Sequence, residues 1–151
     1  MSSSISNGFV SGTSGTLQSP AGGIAAIECG SVLLVDDEEG VRAVLSSLLR
    51  RRGYRVVEAE DGTDALALYV ANPTTFSVLL VDLSMPRMDG SAFLTAVRSM
   101  NHTQPVIAMS GYDVKEARRV MGADGPCGYL QKPFSPEQLF ELIGTALAGS
   151  R

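Results

Sequence analysis

The stretch that most constrains the fold is Val78-Leu79-Leu80-Val81-Asp82, a run of four apolar residues that ends in an aspartate. The next residues, Leu83-Ser84-Met85-Pro86, are typical of a chain that turns away from a strand. A short apolar run bounded by turn signals predicts a strand that is buried on both faces. Asp82 then stands at the carboxyl end of that strand, where open parallel sheets bind their ligands.

Strand and helix patterns alternate on both sides of this run. Val32–Val35 is a second apolar run and ends at Asp36-Asp37, and further short strands are predicted over 55–59, 105–110 and 128–131. Apolar residues at helical spacing predict a helix after each strand. Five such strand–helix units predict an α/β fold, a doubly wound five-stranded parallel sheet with helices on both faces.

Capping and stop residues support the predicted helices. Asp61 is a predicted N-cap, Gly53 a predicted stop, and Ser135-Pro136-Glu137-Gln138 has the pattern of a capping box. The first helix has apolar residues at i, i+3, i+4, i+7 and i+8, which predict one buried stripe: Val41, Val44, Leu45, Leu48 and Leu49.

The first 30 residues differ in composition from the rest of the 151-residue chain. They are rich in Ser, Gly and Thr, and Glu28 is their only charged residue. Such a segment buries too little apolar surface to offset the entropy of ordering. The sequence therefore predicts a disordered leader or linker over 1–30 and a single folded domain over 31–149.

Charge and hydropathy exclude several classes of partner. The net charge is −4, and no apolar stretch approaches the roughly 20 residues that span a bilayer. The first 41 residues contain no Lys or Arg, which argues against a signal or transit peptide. Cys29 and Cys127 lack metal-ligand spacing and disulfide density. We expect free thiols, a cytoplasmic location, and neither nucleic acid nor membrane as a partner.

Polar side chains follow four of the predicted strands. Asp36 and Asp37 follow the first strand, Asp82 ends the third, Ser110 ends the fourth, and Lys132 follows the fifth. Each has an ordinary explanation when taken alone, such as a helix cap, a strand-end hydroxyl or a solvated surface charge. They converge at one edge of the sheet only if strands one and three are neighbours.

The combination of these groups suits phosphoryl chemistry. Close carboxylates repel one another, and a set of oxygen ligands favours a hard divalent cation such as Mg²⁺ over zinc. A remaining carboxylate beside the cation and the ammonium of Lys132 can act as a nucleophile toward phosphorus. The hydroxyl of Ser110 can donate a hydrogen bond to the phosphoryl product, and Gly111 leaves space for it.

Four motifs together resemble the receiver domains of two-component response regulators. They are Val35-Asp36-Asp37-Glu38, Asp82 with Met85-Pro86-Arg87-Met88-Asp89-Gly90, Ser110-Gly111, and Lys132-Pro133-Phe134. The similarity extends from about Ser31 to Ala148. It implies a flavodoxin-like fold with strand order 2-1-3-4-5.

The resemblance implies a role for each acid. Asp82 matches the phosphoacceptor, and Asp37 matches the principal metal carboxylate. Asp36 would place a metal-bound water or help directly. The backbone carbonyl of Ser84 would be a third protein ligand of the Mg²⁺ ion.

The resemblance also implies a switch. Ser110 matches the switch hydroxyl, Lys132 the phosphoryl-binding lysine, and Tyr129 the aromatic residue that turns inward when Ser110 moves. The Lys132-Pro133 peptide bond is expected to be cis. The implied partners are a histidine kinase or histidine phosphotransfer protein as phosphodonor, and a downstream protein target.

Two alternatives and two departures accompany this interpretation. A haloacid-dehalogenase-like phosphatase uses similar groups but would carry Asp-x-Asp on the first strand. The chain could also be a detached or silent receiver module of a hybrid histidine kinase. The connection 122–128 is longer than usual for receivers, and Tyr112 occupies a position that tunes acyl-phosphate lifetime in the family.

Overall fold

The computed structural model of the chain describes residues 30–83, 90–111, 113–121 and 125–149, which form alternating strands and helices. The strands are β1 (Gly30–Val35), β2 (Tyr54–Ala59), β3 (Val78–Asp82), β4 (Val106–Ser110) and β5 (Gly128–Gln131). The helices are α1 (Glu39–Arg51), α2 (Gly62–Ala71), α3 (Gly90–Met100), α4 (Val114–Met121) and α5 (Pro136–Gly149). The predicted alternation is confirmed.

The strands form one parallel sheet in the order β2-β1-β3-β4-β5. β1 and β3 are therefore neighbours, and Val35 lies opposite Val81 in their register. The doubly wound α/β fold and its predicted strand order are confirmed. Because all strands run the same way, their carboxyl ends meet at one edge of the sheet.

The core lies on both faces of the sheet. Alternate residues of the central strands face α2 and α3 on one side: Leu33, Val35, Leu79 and Val81. The residues between them face α1 and α5 on the other side: Val32, Leu34, Val78 and Leu80. Burial on both faces explains why β1 and β3 read as continuous apolar runs and not as alternating ones.

The predicted helix ends are confirmed where the structure describes them. The Asp61 carboxylate accepts a hydrogen bond of 2.8 Å from the backbone N–H of Asp64. In the capping box of α5, the Gln138 N–H donates to Ser135 Oγ at 3.2 Å and the Ser135 N–H donates to Gln138 Oε1 at 2.9 Å. Gly53 follows α1 with φ of 96°, a conformation that glycine adopts without strain.

The predicted buried stripe of α1 is wrong at one position. Leu45 and Leu49 are buried, but Val44 is 60% exposed. The buried face is rotated toward Ser46, which is 1% exposed and donates a hydrogen bond of 3.0 Å to Glu58 on β2. Ser46, a polar residue that contacts β2, is therefore buried on this helix, whereas Val44, which the apolar spacing predicted to be buried, is exposed.

Several predictions fall on residues outside those that the structure describes. They concern the 1–29 leader with Cys29, the carbonyl of Ser84, Tyr112, and the 122–124 part of the long connection. Among the described residues, Cys127 is an exposed free thiol. No helix within the described ranges is both long enough and apolar enough to cross a membrane.

Candidate functional site

Three carboxylates meet at the carboxyl ends of β1 and β3. The register of these strands puts Val35 opposite Val81, so Asp36 and Asp82 lie side by side. Asp36 is fully buried, Asp82 is 5% exposed, and Asp37 is exposed to solvent. One carboxylate oxygen from each of the three lies within 4.8 Å of the others. The predicted convergence of these acids is therefore observed.

Lys132 brings a positive charge into the same place from the end of β5. Its Nζ donates to Asp36 Oδ2 at 2.9 Å and to Asp82 Oδ2 at 3.3 Å. The Lys132-Pro133 peptide bond is cis, as expected from the resemblance. The backbone N–H of Lys132 donates to the carbonyl oxygen of Ser110 at 2.7 Å, which ties the end of β5 to the end of β4.

The charge of Lys132 is stabilised by its acidic partners. Partial burial by itself lowers the pKa of the ammonium, because desolvation disfavours the charged form. The hydrogen bond that Lys132 donates to Asp36 and the negative charges of Asp82 and Asp36 outweigh that effect and hold the pKa of Lys132 above its ordinary value. Lys132 is therefore cationic at neutral pH.

Asp36 makes hydrogen bonds through its backbone N–H and through both oxygens of its carboxylate. Its N–H donates to the carbonyl oxygen of Ala59 on β2 at 3.2 Å. Its Oδ1 accepts from the N–H of Glu38 at 2.9 Å, and its Oδ2 accepts from Lys132. Both carboxylate oxygens thus have partners within the protein. The exposed Asp37 faces solvent at the same edge and is the better placed of the two to meet a ligand.

Ser110 and Gly111 lie beside this cluster at the end of β4. Ser110 is 3% exposed and lies opposite Gln131, the residue before Lys132. Gly111 is exposed, and no heavy atom of the described residues lies within 4 Å of where its Cβ would be. The described residues therefore leave room beside the backbone of Gly111, the next residue after Ser110.

Tyr129 lies on β5, opposite Ala108 of β4. Its side chain is half-buried, and the guanidinium carbon of Arg118 on α4 lies 5.2 Å from the ring centroid. Burial raises the pKa of the phenol, and the positive charge of Arg118 offsets part of that rise. The tyrosine therefore connects the sheet to α4 through a cation–π contact.

Gly90 is a site residue to which the sequence reasoning gave no role. A Cβ at this position would overlap the carbonyl oxygen of Asp82 and would lie 2.7 Å from the Cα of Leu83. Only glycine lets the start of α3 approach the end of β3 so closely. The signal was available, because Asp89-Gly90 closes the motif that follows Asp82.

The donor atoms fit a hard divalent cation. Mg²⁺ binds oxygen at about 2.1 Å, so two ligands on opposite sides of one ion are about 4.2 Å apart. The carboxylate oxygens of the acidic cluster lie within 4.8 Å of one another and include no sulfur or nitrogen. Among the described residues, these three carboxylates and the ammonium of Lys132 together carry more negative than positive charge, which a cation would balance.

Comparison with known proteins gives the same family that the motifs indicated. The family model for the response regulator receiver domain matches residues 32–144. The sensor kinase CckA of Brucella abortus is 38% identical over 113 residues, which are 75% of this chain and 12% of that protein. The transcriptional regulatory protein SrrA of Staphylococcus aureus is 36% identical over 109 residues, or 72% of this chain and 44% of that protein.

The fold also matches that of a solved structure, which aligns with this chain over nearly the whole length of the solved protein. The chemotaxis protein CheY4 of Vibrio cholerae is 35% identical and aligns with a TM-score of 0.71, over 78% of this chain and 98% of that one. The chain spans less than half the length of either of these two curated relatives. These matches do not favour the phosphatase alternative, and the chain belongs to the response regulator receiver domain family.

Proposed function

We propose that this receiver domain accepts a phosphoryl group on Asp82 and thereby changes a surface that binds another protein. The observation that carries the proposal is the position of Lys132 Nζ, 3.3 Å from one oxygen of Asp82 and 2.9 Å from Asp36. A buried carboxylate with a fixed cation at its side is oriented for attack and prepared for the charge of a phosphoryl group.

The transfer involves one bond made and one bond broken. An oxygen of Asp82 attacks the phosphorus of a phosphohistidine on a histidine kinase or histidine phosphotransfer protein. The phosphorus–nitrogen bond breaks, its electron pair leaves with the imidazole, and Asp82 becomes an acyl phosphate. The Lys132 ammonium stabilises the negative charge on the phosphoryl oxygens during this step.

The acidic cluster would hold Mg²⁺. Asp37 and Asp82, with the backbone carbonyl of Ser84, would be its protein ligands. Asp36 would act through a bound water or directly, since its oxygens already accept from Glu38 and Lys132. When bound, Mg²⁺ supplies further positive charge at the phosphoryl oxygens.

Ser110 and Tyr129 would report the phosphorylation to the surface. The hydroxyl of Ser110 would donate to a phosphoryl oxygen, and Tyr129 would turn inward into the space that Ser110 vacates. That rotation would remove the ring from the guanidinium of Arg118, which lies 5.2 Å from its centroid. The contact between β5 and α4 would therefore change with phosphorylation, and a downstream protein would recognise the difference.

The domain organisation proposed for the chain follows the same reasoning. Residues 30–149 would be the receiver and residues 1–29 a leader or linker, because β1 begins at Gly30 and not at Ser31. As a signalling domain of the cytoplasm it would bind proteins rather than nucleic acid or membrane. It would turn over at most its own acyl phosphate.

The test uses phosphoramidate as donor, because it carries the same phosphorus–nitrogen bond as phosphohistidine. The protein is incubated with phosphoramidate and Mg²⁺, and its intact mass is measured for the wild type, Asp82→Ala and Asp64→Ala. Asp64 is an exposed acid on α2 and serves as the matched control. Wild type and Asp64→Ala should gain one phosphoryl group that hydroxylamine removes, and Asp82→Ala should gain none. Equal labelling of all three, or none in the wild type, contradicts the proposal.

A further inference from the structure

Arg42 reaches back from α1 to the turn that carries the acids. Its Nη1 donates to the backbone carbonyl oxygen of Asp36 at 2.7 Å. Side chains on a helix lean toward its N-terminus, which is why a residue in α1 can reach one that precedes the helix. The bond is short because its donor is charged. Arg42 thus fixes the part of the Asp36 peptide that neither the sheet nor Lys132 holds.

The other end of the guanidinium is anchored on β2. Arg42 Nε donates to Glu58 Oε1 at 3.2 Å, and the side chain of Arg42 is 17% exposed. Glu58 is itself held, since the buried Ser46 donates to its Oε2 at 3.0 Å. A single rigid fork therefore connects β2, α1 and the Asp36-Asp37 turn.

We infer that Arg42 is a positioning residue for the Mg²⁺ site, and that it acts by holding the Asp36-Asp37 turn against β2. This inference rests on the proposed function, because it concerns the metal that phosphoryl transfer to Asp82 requires. Asp37 is exposed and belongs to the short turn between β1 and α1, so the position of its carboxylate depends on the backbone of that turn. Mg²⁺ tolerates little deviation from octahedral geometry, so a displaced turn weakens binding.

Positioning and simple electrostatics predict opposite results when Arg42 is removed. Arg42 is a cation that contacts the backbone of Asp36, one of the three acids that would bind a divalent cation. If its charge were its only influence, its loss would reduce repulsion and tighten Mg²⁺ binding. If it holds the turn, its loss weakens binding, by about tenfold for a residue that orients a ligand.

The experiment measures the dissociation constant of Mg²⁺ by calorimetric titration of the full chain, for the wild type, Arg42→Met and Arg50→Met. Arg50 is a matched control, because it is another α1 arginine whose Nη2 lies 3.6 Å from Glu58 Oε2, but its hydrogen bond goes to the backbone carbonyl oxygen of Val56 on β2 and not to the acidic turn. Arg42→Met should raise the dissociation constant about tenfold, and Arg50→Met should leave it unchanged. At saturating Mg²⁺, phosphoryl transfer to Arg42→Met should return to the wild-type rate.

The outcomes separate the two hypotheses. Failure of the wild type to bind Mg²⁺ overturns the proposed function itself. A wild type that binds Mg²⁺ and an Arg42→Met protein that binds equally or more tightly overturn the role of Arg42 alone. If circular dichroism shows that Arg42→Met is unfolded, Arg42→Lys decides, because lysine keeps the charge but not the fork. It should then bind Mg²⁺ several-fold more weakly than wild type, and an unchanged constant overturns the inference.

Discussion

Each end of the sheet holds a buried polar cluster. The two clusters differ in how far their donors and acceptors are charged. At the amino ends of the strands lies the amino-end cluster of Tyr69, Arg98 and Gln104. Tyr69 donates to Gln104 Oε1 at 2.9 Å, the Gln104 amide donates to the carbonyl oxygen of Phe76 at 3.1 Å, and Arg98 donates to that of Gln104 at 2.7 Å. The acceptors of these three hydrogen bonds are neutral, and two of them are backbone carbonyl oxygens.

The carboxyl-end cluster consists of Asp36, Asp37, Asp82 and Lys132, and its charges do not balance. Three carboxylates share one ammonium within a few ångströms. A buried network with all groups satisfied stabilises a fold, whereas unbalanced like charges destabilise it. We therefore expect the amino-end cluster to contribute to the stability of the fold and the carboxyl-end cluster to bind a cation.

The largest expected effect is on phosphoryl transfer at the carboxyl end. Lys132→Met removes the cation that lies 3.3 Å from Asp82, and transfer from phosphoramidate should slow by about 100-fold or more. The rate is measured from the gain of protein mass with time at saturating Mg²⁺. Arg98→Met, at the other end of the sheet, is the control and should retain the wild-type rate while folded. Similar rates for the two variants would contradict the division of roles.

The next largest effect is on stability at the amino end. Arg98 is 9% exposed and donates to the backbone carbonyls of Asn101, Gln104 and Gly125. Arg98→Met leaves these acceptors without a charged donor, so the free energy of unfolding should fall by about 3 kcal/mol. Urea denaturation measures the loss. Arg51→Met, an exposed arginine of α1, should change the same quantity by less than about 0.5 kcal/mol. If Arg98→Met loses no more free energy of unfolding than Arg51→Met, the amino-end cluster does not stabilise the fold.

The carboxyl-end cluster was largely predictable from the sequence, and the reason is local. Each of its residues lies at the carboxyl end of a predicted strand or within two residues after it, so finding the strands also locates Asp36, Asp82 and Lys132. Their convergence required one non-local fact, the adjacency of β1 and β3, which came from the family resemblance and not from periodicity.

The amino-end cluster and the contact of Arg42 were not predicted, because their acceptors carry no sequence signal. Arg98 and Arg42 both donate to backbone carbonyls, and every residue has one. The exposure of Val44 was missed for a related reason. Apolar spacing gives the width of a buried stripe, whereas the contact of Ser46 with Glu58 decides where that stripe faces.

A smaller change in the free energy of unfolding, and one that is stabilising, is expected when Asp82 is replaced. Asp82→Asn removes repulsion from Asp36 and Asp37 and loses one attraction to Lys132, so without Mg²⁺ the free energy of unfolding should rise by about 1 kcal/mol. Mg²⁺ at ten times its dissociation constant should add about 1.4 kcal/mol to the wild type and less to the variant. Both are measured by urea denaturation in chelator and in Mg²⁺.

The control for this prediction is a buried acid outside the cluster. Asp61 is 3% exposed and caps α2. Asp61→Asn should leave stability nearly unchanged in either buffer, since asparagine caps a helix about as well as aspartate. A loss of stability in Asp82→Asn would mean that attraction to Lys132 outweighs the repulsion among the acids.

The smallest effect concerns Tyr69, the neutral donor of the amino-end cluster. Tyr69→Phe removes the 2.9 Å hydrogen bond to Gln104 and should lower the free energy of unfolding by about 1 kcal/mol at pH 7. Burial raises the pKa of the Tyr69 phenol above its usual value of 10.0, against smaller lowering effects of Asn101 and Arg98. A pKa that is higher in the folded state gives stability that is present below pH 10 and is lost as the pH rises through the folded-state value. The wild type should therefore lose more stability than Tyr69→Phe between pH 9 and pH 12, as measured by urea denaturation at each pH. If the free energies of unfolding of the two proteins change in parallel with pH, this phenol has the same pKa in the folded and the unfolded chain.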